Sequence, residues 1–205
     1  AGTFDMGYRG TETCRSIYTA PPATSEALHE VTLTRDFYIS ETEVTHIEWE
    51  MFGTSYRYRT ACTSDDCPSI VYADMSEVFE FLNDMSADFG YTECYAADAT
   101  TGVYIPIANF LDCDGYRLPT DAEWEYAARC GEEYEFAGSD TWSDVARWMS
   151  RDADSVAQKD PNACGLYDMS GNASELVNDL YVEDAYDGAA STDPLGSWPW
   201  DPSED

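Results

Sequence analysis

Positive charge is what this chain has least of. Ten Lys and Arg stand against forty-one Asp and Glu in 205 residues, a formal net charge of −31. That balance cannot neutralise a phosphate backbone, so nucleic acid is excluded as a partner, and anionic membrane surfaces are disfavoured for the same reason. Apolar runs are short, none of them long enough to cross a bilayer, so no transmembrane span is expected. The N-terminal residues carry neither a basic region nor an apolar core, so a signal peptide either preceded Ala1 or never existed. Histidine is nearly absent: His29 and His46 are the whole complement. With no Gly-x-Ser-x-Gly turn and no recognisable histidine partner, Ser or Cys hydrolase triads have no support. Cys-x-x-Cys pairs are missing as well, which argues against zinc. No internal repeat is visible.

What the chain does contain is enough to fold. Apolar residues make up 43% and aromatics 14%, unlike a disordered acidic tail, which is poor in aromatics. The length suits one domain over residues 1–205 with a sizeable core. The acidity is spread along the sequence, as on a solvated surface kept soluble by mutual repulsion. Adaptation to high salt, or a surface that collects divalent cations, are the sharper alternatives. Of seven cysteines, Cys62 and Cys67 bracket a short polar loop and Cys94 and Cys113 a longer excursion. Cysteines flanking loops suit a disulfide framework and hence an oxidising compartment, so the expected location is extracellular or at the cell surface.

The local patterns predict a mixed α+β chain with much irregular structure. Phe4–Gly7 reads as an opening strand and turn. Glu30–Ile39 places Val31, Leu33, Phe37 and Ile39 at alternate positions, the period of a half-buried strand. Thr45 and Glu48 form a capping box before a helix through about Phe52, which Gly53 ends. The clearest helix is expected from Asp74 to Phe89, with Val78, Phe81, Leu82, Met85 and Phe89 on one face and Gly90 past its end. Tyr91–Asp114 lacks helical period and reads as a loop or ragged hairpin. Thr120 and Glu123 start a third helix, with Trp124, Ala127 and Ala128 inward and Gly131 closing it.

Three motif readings follow from chemistry alone. Pro119 forces Leu118 toward an extended conformation ahead of the Thr120-capped helix, and Arg117 can pair with a carboxylate beneath that turn. Asn162 and Asn172 sit beside glycine-containing turns, where side-chain amides satisfy loop backbone. Asp168-Met-Ser-Gly-Asn-Ala-Ser-Glu175 is a tight loop with carboxylates at both ends, which suits a hard cation such as Ca²⁺; an ordinary acidic turn is the alternative.

Two segments carry a family resemblance: Gly115-Tyr-Arg-Leu-Pro-Thr-Asp-Ala-Glu-Trp-Glu-Tyr-Ala-Ala-Arg129 and Pro161-Asn-Ala-Cys-Gly-Leu-Tyr-Asp-Met-Ser-Gly-Asn-Ala-Ser-Glu175. Both resemble signature segments of the formylglycine-generating enzyme, or sulfatase-modifying factor, family. Phe4–Gly7, His29–Leu33, Glu43–Thr45 and Cys67–Val71 resemble further family blocks. The resemblance implies a variant of the C-type lectin fold, with short twisted sheets, two principal helices and much ordered loop. It also implies one calcium ion, held by Asp168 and Glu175 with main-chain oxygens of Gly171 and Ala173. At the family's second calcium site Arg147 stands where an oxygen-donating Asn is usual, and a cation there repels a cation ligand. Cys130 and Cys164 fall where the family has a small residue and an aromatic, which suggests a third disulfide and leaves Cys14 over.

Departures from the family set the functional expectation. After Gly171-Asn172 the family usually has Trp-Glu-Trp, and here Ser174-Glu175-Leu176 follows. Asn172-Ala-Ser174 is formally a glycosylation sequon, expected to be unused inside a tight motif. The oxidase members carry a copper-binding cysteine pair beyond the segment resembling Asp193–Gly196, and none of the seven cysteines occupies that position. An iron-binding branch uses His-x-x-x-His, a spacing His29 and His46 do not have, so each reads as an exposed or capping histidine. The expectation is therefore an exported, non-catalytic, calcium-stabilised structural or binding module that self-associates or binds another extracellular protein. In one form of self-association, a neighbouring chain adds a strand to an open sheet edge, with Trp198 and Trp200 as the inserted segment. The alternative is a copper-dependent formylglycine-generating oxidase seen as an incomplete sequence.

Overall fold

The computed structural model describes residues 1–10, 27–53, 62–69, 75–147, 152–180 and 188–195. The expectations placed on Asp74, on Cys14 and on the Trp198–Trp200 tail lie outside these residues. The opening strand, β1 (Gly2–Met6), pairs antiparallel with β2 (His29–Leu33), Phe4 facing Val31 across the ladder. On its other side β2 runs parallel to β5 (Ser191–Thr192), giving a sheet of order β1-β2-β5. Its inward face buries Met6, Val31 and Leu33 against Ala122, with Phe4 and Phe37 packed edge-on to Tyr126.

The alternation read over Glu30–Ile39 survives in burial but not in hydrogen bonding. Phe37 and Ile39 remain half-buried, yet β2 ends at Leu33. Just past that point Asp193 takes over as partner. It accepts the Thr34 N–H at 2.7 Å and the Thr34 hydroxyl, while Arg35 bridges Asp112 and Asp193. A side chain replaces the next rung, so the extended chain runs on unpaired.

A second core lies between helix α1 (His46–Phe52), helix α2 (Met75–Asp88) and the hairpin of β3 (Tyr95–Ala97) and β4 (Tyr104–Pro106). At the start of α1 the Glu48 carboxylate accepts both the backbone N–H and the hydroxyl of Thr45 at 2.8 Å. Trp49 stacks on Phe81 at 4.6 Å and Phe79 on Tyr95 at 4.0 Å. Asn83 donates to the Tyr95 carbonyl at 2.8 Å and accepts its N–H at 3.2 Å, acting as one rung of a missing strand. Such a residue is invisible to an apolar-period argument. Phe89, expected on the buried face, is instead 58% exposed because the helix ends at Asp88 and Gly90 turns at φ +78°. His29 and His46 also differ from expectation in being buried, His29 with Nδ1 2.8 Å from the Ala27 carbonyl and His46 in the first turn of α1.

Helix α3 (Asp121–Arg129) joins the two cores through its N-terminus. Glu123 accepts the Thr120 N–H at 2.9 Å, and its own N–H donates to the Thr120 hydroxyl at 3.1 Å. The same carboxylate takes a two-pronged contact from Arg117, both at 2.7 Å, with the side chains only 11% and 6% exposed. Arg117 also lies over the Phe110 ring at 5.0 Å. The short helix α4 (Trp142–Val145) follows, and the remaining described chain is irregular. Disulfides link Cys62 to Cys67, Cys94 to Cys113 and Cys130 to Cys164.

Removing one partner of a buried, hydrogen-bonded ion pair leaves an uncompensated charge and costs about 3–5 kcal/mol. Arg117→Met is therefore expected to lower stability by about that much. Arg35→Ala, at a solvated ion pair, should leave the melting temperature nearly unchanged. Thermal unfolding followed by circular dichroism compares the two; equal losses would refute this reading.

Candidate metal centre

The chain from Pro161 to Glu175 contains no regular helix or strand, so other groups must satisfy its backbone. Asn162 does much of this. Its amide donates to the carbonyls of Ala127 and Ala128 at 2.8 and 3.1 Å, at the C-terminal end of α3. Its oxygen accepts the N–H groups of Cys164 and Leu166 at 3.0 and 3.1 Å. The Cys130–Cys164 disulfide ties the same two segments covalently. Asn172 performs a smaller version, holding the N–H and carbonyl of Asp154 at 2.9 and 3.3 Å. That leaves the sequon amide engaged with the backbone of the neighbouring Asp154 segment.

The loop that follows is shaped by backbone proximity. Gly171 has φ +116°, and a Cβ there would collide with the carbonyl of Arg147, to which Asn172 donates. Asp168 and Asn172 also adopt positive φ, at 57° and 63°. Among the described residues, no hydrogen bond ends on the carbonyl oxygens of Gly171 or Ala173.

Three carboxylates lie around this loop. Asp168 is buried and accepts the Ala157 N–H at 2.7 Å. Glu175 stands at the rim, partly open to water, and accepts the Trp124 indole N–H at 2.9 Å. Glu43, which sequence reasoning did not single out as a site residue, reaches in from the segment before α1. One oxygen accepts the Ala173 N–H at 3.2 Å, and the other is buried without a hydrogen-bond partner among the described residues. No local signal marks Glu43 for this place; its partner lies 130 residues away in sequence.

The electrostatics follow from crowding. Burial, then the neighbouring Asp168 charge, pushes the Glu43 carboxyl up to about 8. Burial and then Asp168 also raise Glu175, against the favourable Trp124 bond. Among the described residues no Lys or Arg pairs with any of the three; Arg147 is turned to Asp154 at 2.5 Å. One desolvated carboxylate oxygen and two carbonyls that accept no hydrogen bond among the described residues are the donor types a hard cation takes. No three His, Cys, Asp or Glu side chains of the described residues form a cage alone, so a cation here would need the main-chain oxygens too.

Residues 1–198 match the Sulfatase-modifying factor enzyme 1-like domain. The chain belongs to this family. It is 26% identical over 215 residues to the formylglycine-generating enzyme of Streptomyces coelicolor, spanning 85% of this chain and 68% of that one. It is 28% identical over 174 residues to the chaperone protein LppX of Paenibacillus barcinonensis, covering 68% and 61%. A third match, to the serine/threonine-protein kinase pkn1 of Chlamydia pneumoniae, is 36% identical over 106 residues, 47% of this chain and 16% of the kinase. The chain thus spans a minor part of that kinase and about three fifths of the chaperone. Among solved structures, Treponema denticola variable protein 1 aligns with a TM-score of 0.67 at 22% identity, over 87% of this chain and 74% of its own. PvdO from Pseudomonas aeruginosa gives 0.63 at 22%, over 95% and 76%. These likenesses establish the fold, an α+β scaffold of the formylglycine-generating-enzyme type.

The raised Glu43 pKa has a defined consequence. Between its unfolded value near 4.5 and about 8, the folded chain keeps a proton that the unfolded chain has lost. Stability contributed by this group therefore falls as pH rises through that window. In chelator-containing buffer, Glu43→Gln should flatten this slope and gain about 1–3 kcal/mol over the parent at pH 8. Urea midpoints at pH 5 and pH 8 test it, and parallel pH profiles for the two proteins would count against the assignment.

Proposed function

We propose that this chain is an exported, non-catalytic module of the sulfatase-modifying-factor scaffold, stabilised by one calcium ion and used for structure or binding. Crowding of Glu43, Asp168 and Glu175 beside the bare carbonyls of Gly171 and Ala173 is the observation that carries it. Asp168 and Glu175 would hold the ion with the carbonyls of Gly171 and Ala173, and the free oxygen of Glu43 would face it. Bound calcium supplies positive charge that offsets three crowded carboxylates and accepts six to eight oxygens, water completing the set. The protein's own part is to fix the loop: the Arg147 carbonyl lies against Gly171 and accepts the Asn172 N–H, Asn172 holds Asp154, and Trp124 donates to Glu175.

Export is supported by the three disulfides, which persist in oxidising compartments. The non-catalytic reading is supported by the same bonds. Family oxidase chemistry, as the resemblance implies, needs a copper-binding cysteine pair, and the six described cysteines are each bonded as loop staples. Self-association, or binding to another extracellular protein, is the proposed use of such a scaffold. Similarity to the Streptomyces coelicolor enzyme favours the second reading, a copper-dependent oxidase whose thiol pair lies outside the described residues.

Calcium at one hundred times its Kd should stabilise the fold by about 2.7 kcal/mol, seen as a rise in melting temperature reversed by chelator. Asp168→Ala should remove the response while Asp140→Asn keeps it. A calcium-independent melt would overturn the metal assignment. Copper-dependent oxidation of a cysteine peptide by this chain would overturn the non-catalytic one.

A further inference from the structure

A line of aromatic rings leaves the second core and emerges at the surface. Phe81, stacked on Trp49 inside, meets the half-buried Phe52 at 6.2 Å. Phe52 meets Phe89 at 6.2 Å, Phe89 meets Tyr116 at 5.9 Å, and Tyr116 meets Tyr91 at 6.1 Å. The last three are 58%, 39% and 50% exposed. Their planes are steeply inclined, by 55° for Phe89 on Tyr116 and 77° for Tyr91 on Tyr116. Each contact sets one ring across another, and the exposure of all three leaves aromatic surface open to solvent.

These rings sit on a fixed backbone. Tyr91 donates its N–H to the Ser86 carbonyl at 2.8 Å, and the Tyr116 N–H donates to the Ser86 hydroxyl at 2.8 Å. Gly115 is pressed against the Thr92 carbonyl, where a Cβ would not fit. Thr92 in turn donates to Asp114 at 3.1 Å, and the Cys94–Cys113 disulfide closes the segment. Little ordering is left to be done when something lands on them.

The sequence around these rings is acidic up to Arg117, whose guanidinium is taken by Glu123. From Thr60 to Tyr116 the sequence has eleven acidic residues and no Lys, Arg or His. Asp88 directly precedes Phe89, Glu93 follows Tyr91 by two, and Asp114 precedes Tyr116 by two; all three are exposed. Hydrogen bonds from Thr92 hold Asp114 below the usual carboxylate range, so it stays charged. A second copy meeting this face with its own would bring the same acidic rim and be repelled there.

We propose that the Phe89–Tyr91–Tyr116 face docks a cationic segment of another protein, its Arg or Lys heads seated on the rings and paired at the acidic rim. A cation over an aromatic face within about 6 Å of its centroid is attracted by the ring quadrupole, and rim carboxylates steer it there. This inference is independent of the calcium reading.

The probe is a fluorescein-labelled decapeptide of alternating Arg and Gly, titrated into the full chain at 0.15 M salt. Tyr91→Leu/Tyr116→Leu keeps apolar bulk but removes the ring faces, and should weaken binding about fivefold or more. Tyr91→Phe/Tyr116→Phe keeps the faces and should bind as the parent does. Asp88→Asn/Glu93→Gln should weaken binding more than Glu133→Gln/Asp144→Asn, an equal charge change outside that stretch. Circular dichroism confirms that each variant is folded. Unchanged binding by the Leu pair, loss with the Phe pair, or equal effects of the two charge pairs would overturn the proposal. So would a dimer of the parent chain that the Leu pair dissociates.

Discussion

The carboxylate of Glu123 is the group on which most of the architecture converges. It closes the N-terminus of α3 through Thr120 and neutralises Arg117, which in turn covers Phe110. One face of α3 supports the β1-β2-β5 sheet through Ala122, and the segment leading into it carries Leu118, packed on the second core. A buried charge is tolerated only when its hydrogen-bonding capacity is filled, and here three N–H donors fill it. Two cores are thereby held in register by a polar device, which fixes geometry where apolar contacts alone would allow sliding.

At the other end of α3 the logic is the same with a neutral group. Asn162 supplies two donors to the last helical carbonyls and two acceptances to the following loop, which lets a long irregular segment exist without a sheet to bond it. The 168–175 loop beyond it contrasts with both. Its carboxylates are crowded, one oxygen of Glu43 is left buried and bare, and the ionisation of Glu43 is suppressed. A buried carboxylate crowded by like charge is the kind of deficit whose cause is sought in function. The family scaffold by itself does not supply an activity; chemistry resides in the groups mounted on it.

The fold was legible wherever local chemistry is self-announcing. Capping pairs at Thr45 and Thr120, the periodicity of α2 and the cysteines around loops all express constraints a few residues long. Family membership was equally legible, because the Arg117-Leu-Pro-Thr and Gly165–Asn172 segments keep unusual residues in fixed order. The extent of β2 was not: alternation persists to Ile39, and only the arrival of Asp193 from far along the chain ends the ladder at Leu33. Phe89 was misplaced for a related reason, since period says which residues share a face but not where that face ceases to be covered.

The candidate site divides along the same line. Sequence by itself determined the acidic surface, the helix starts and the tight loop from Asp168 to Glu175, each a matter of composition or short-range spacing. Only the tertiary structure decided that Glu43 faces that loop, that Arg147 turns away toward Asp154, and that Phe89, Tyr91 and Tyr116 gather on an open acidic face. Each of these depends on desolvation and on contacts between distant segments. Such quantities have no value until the chain has folded.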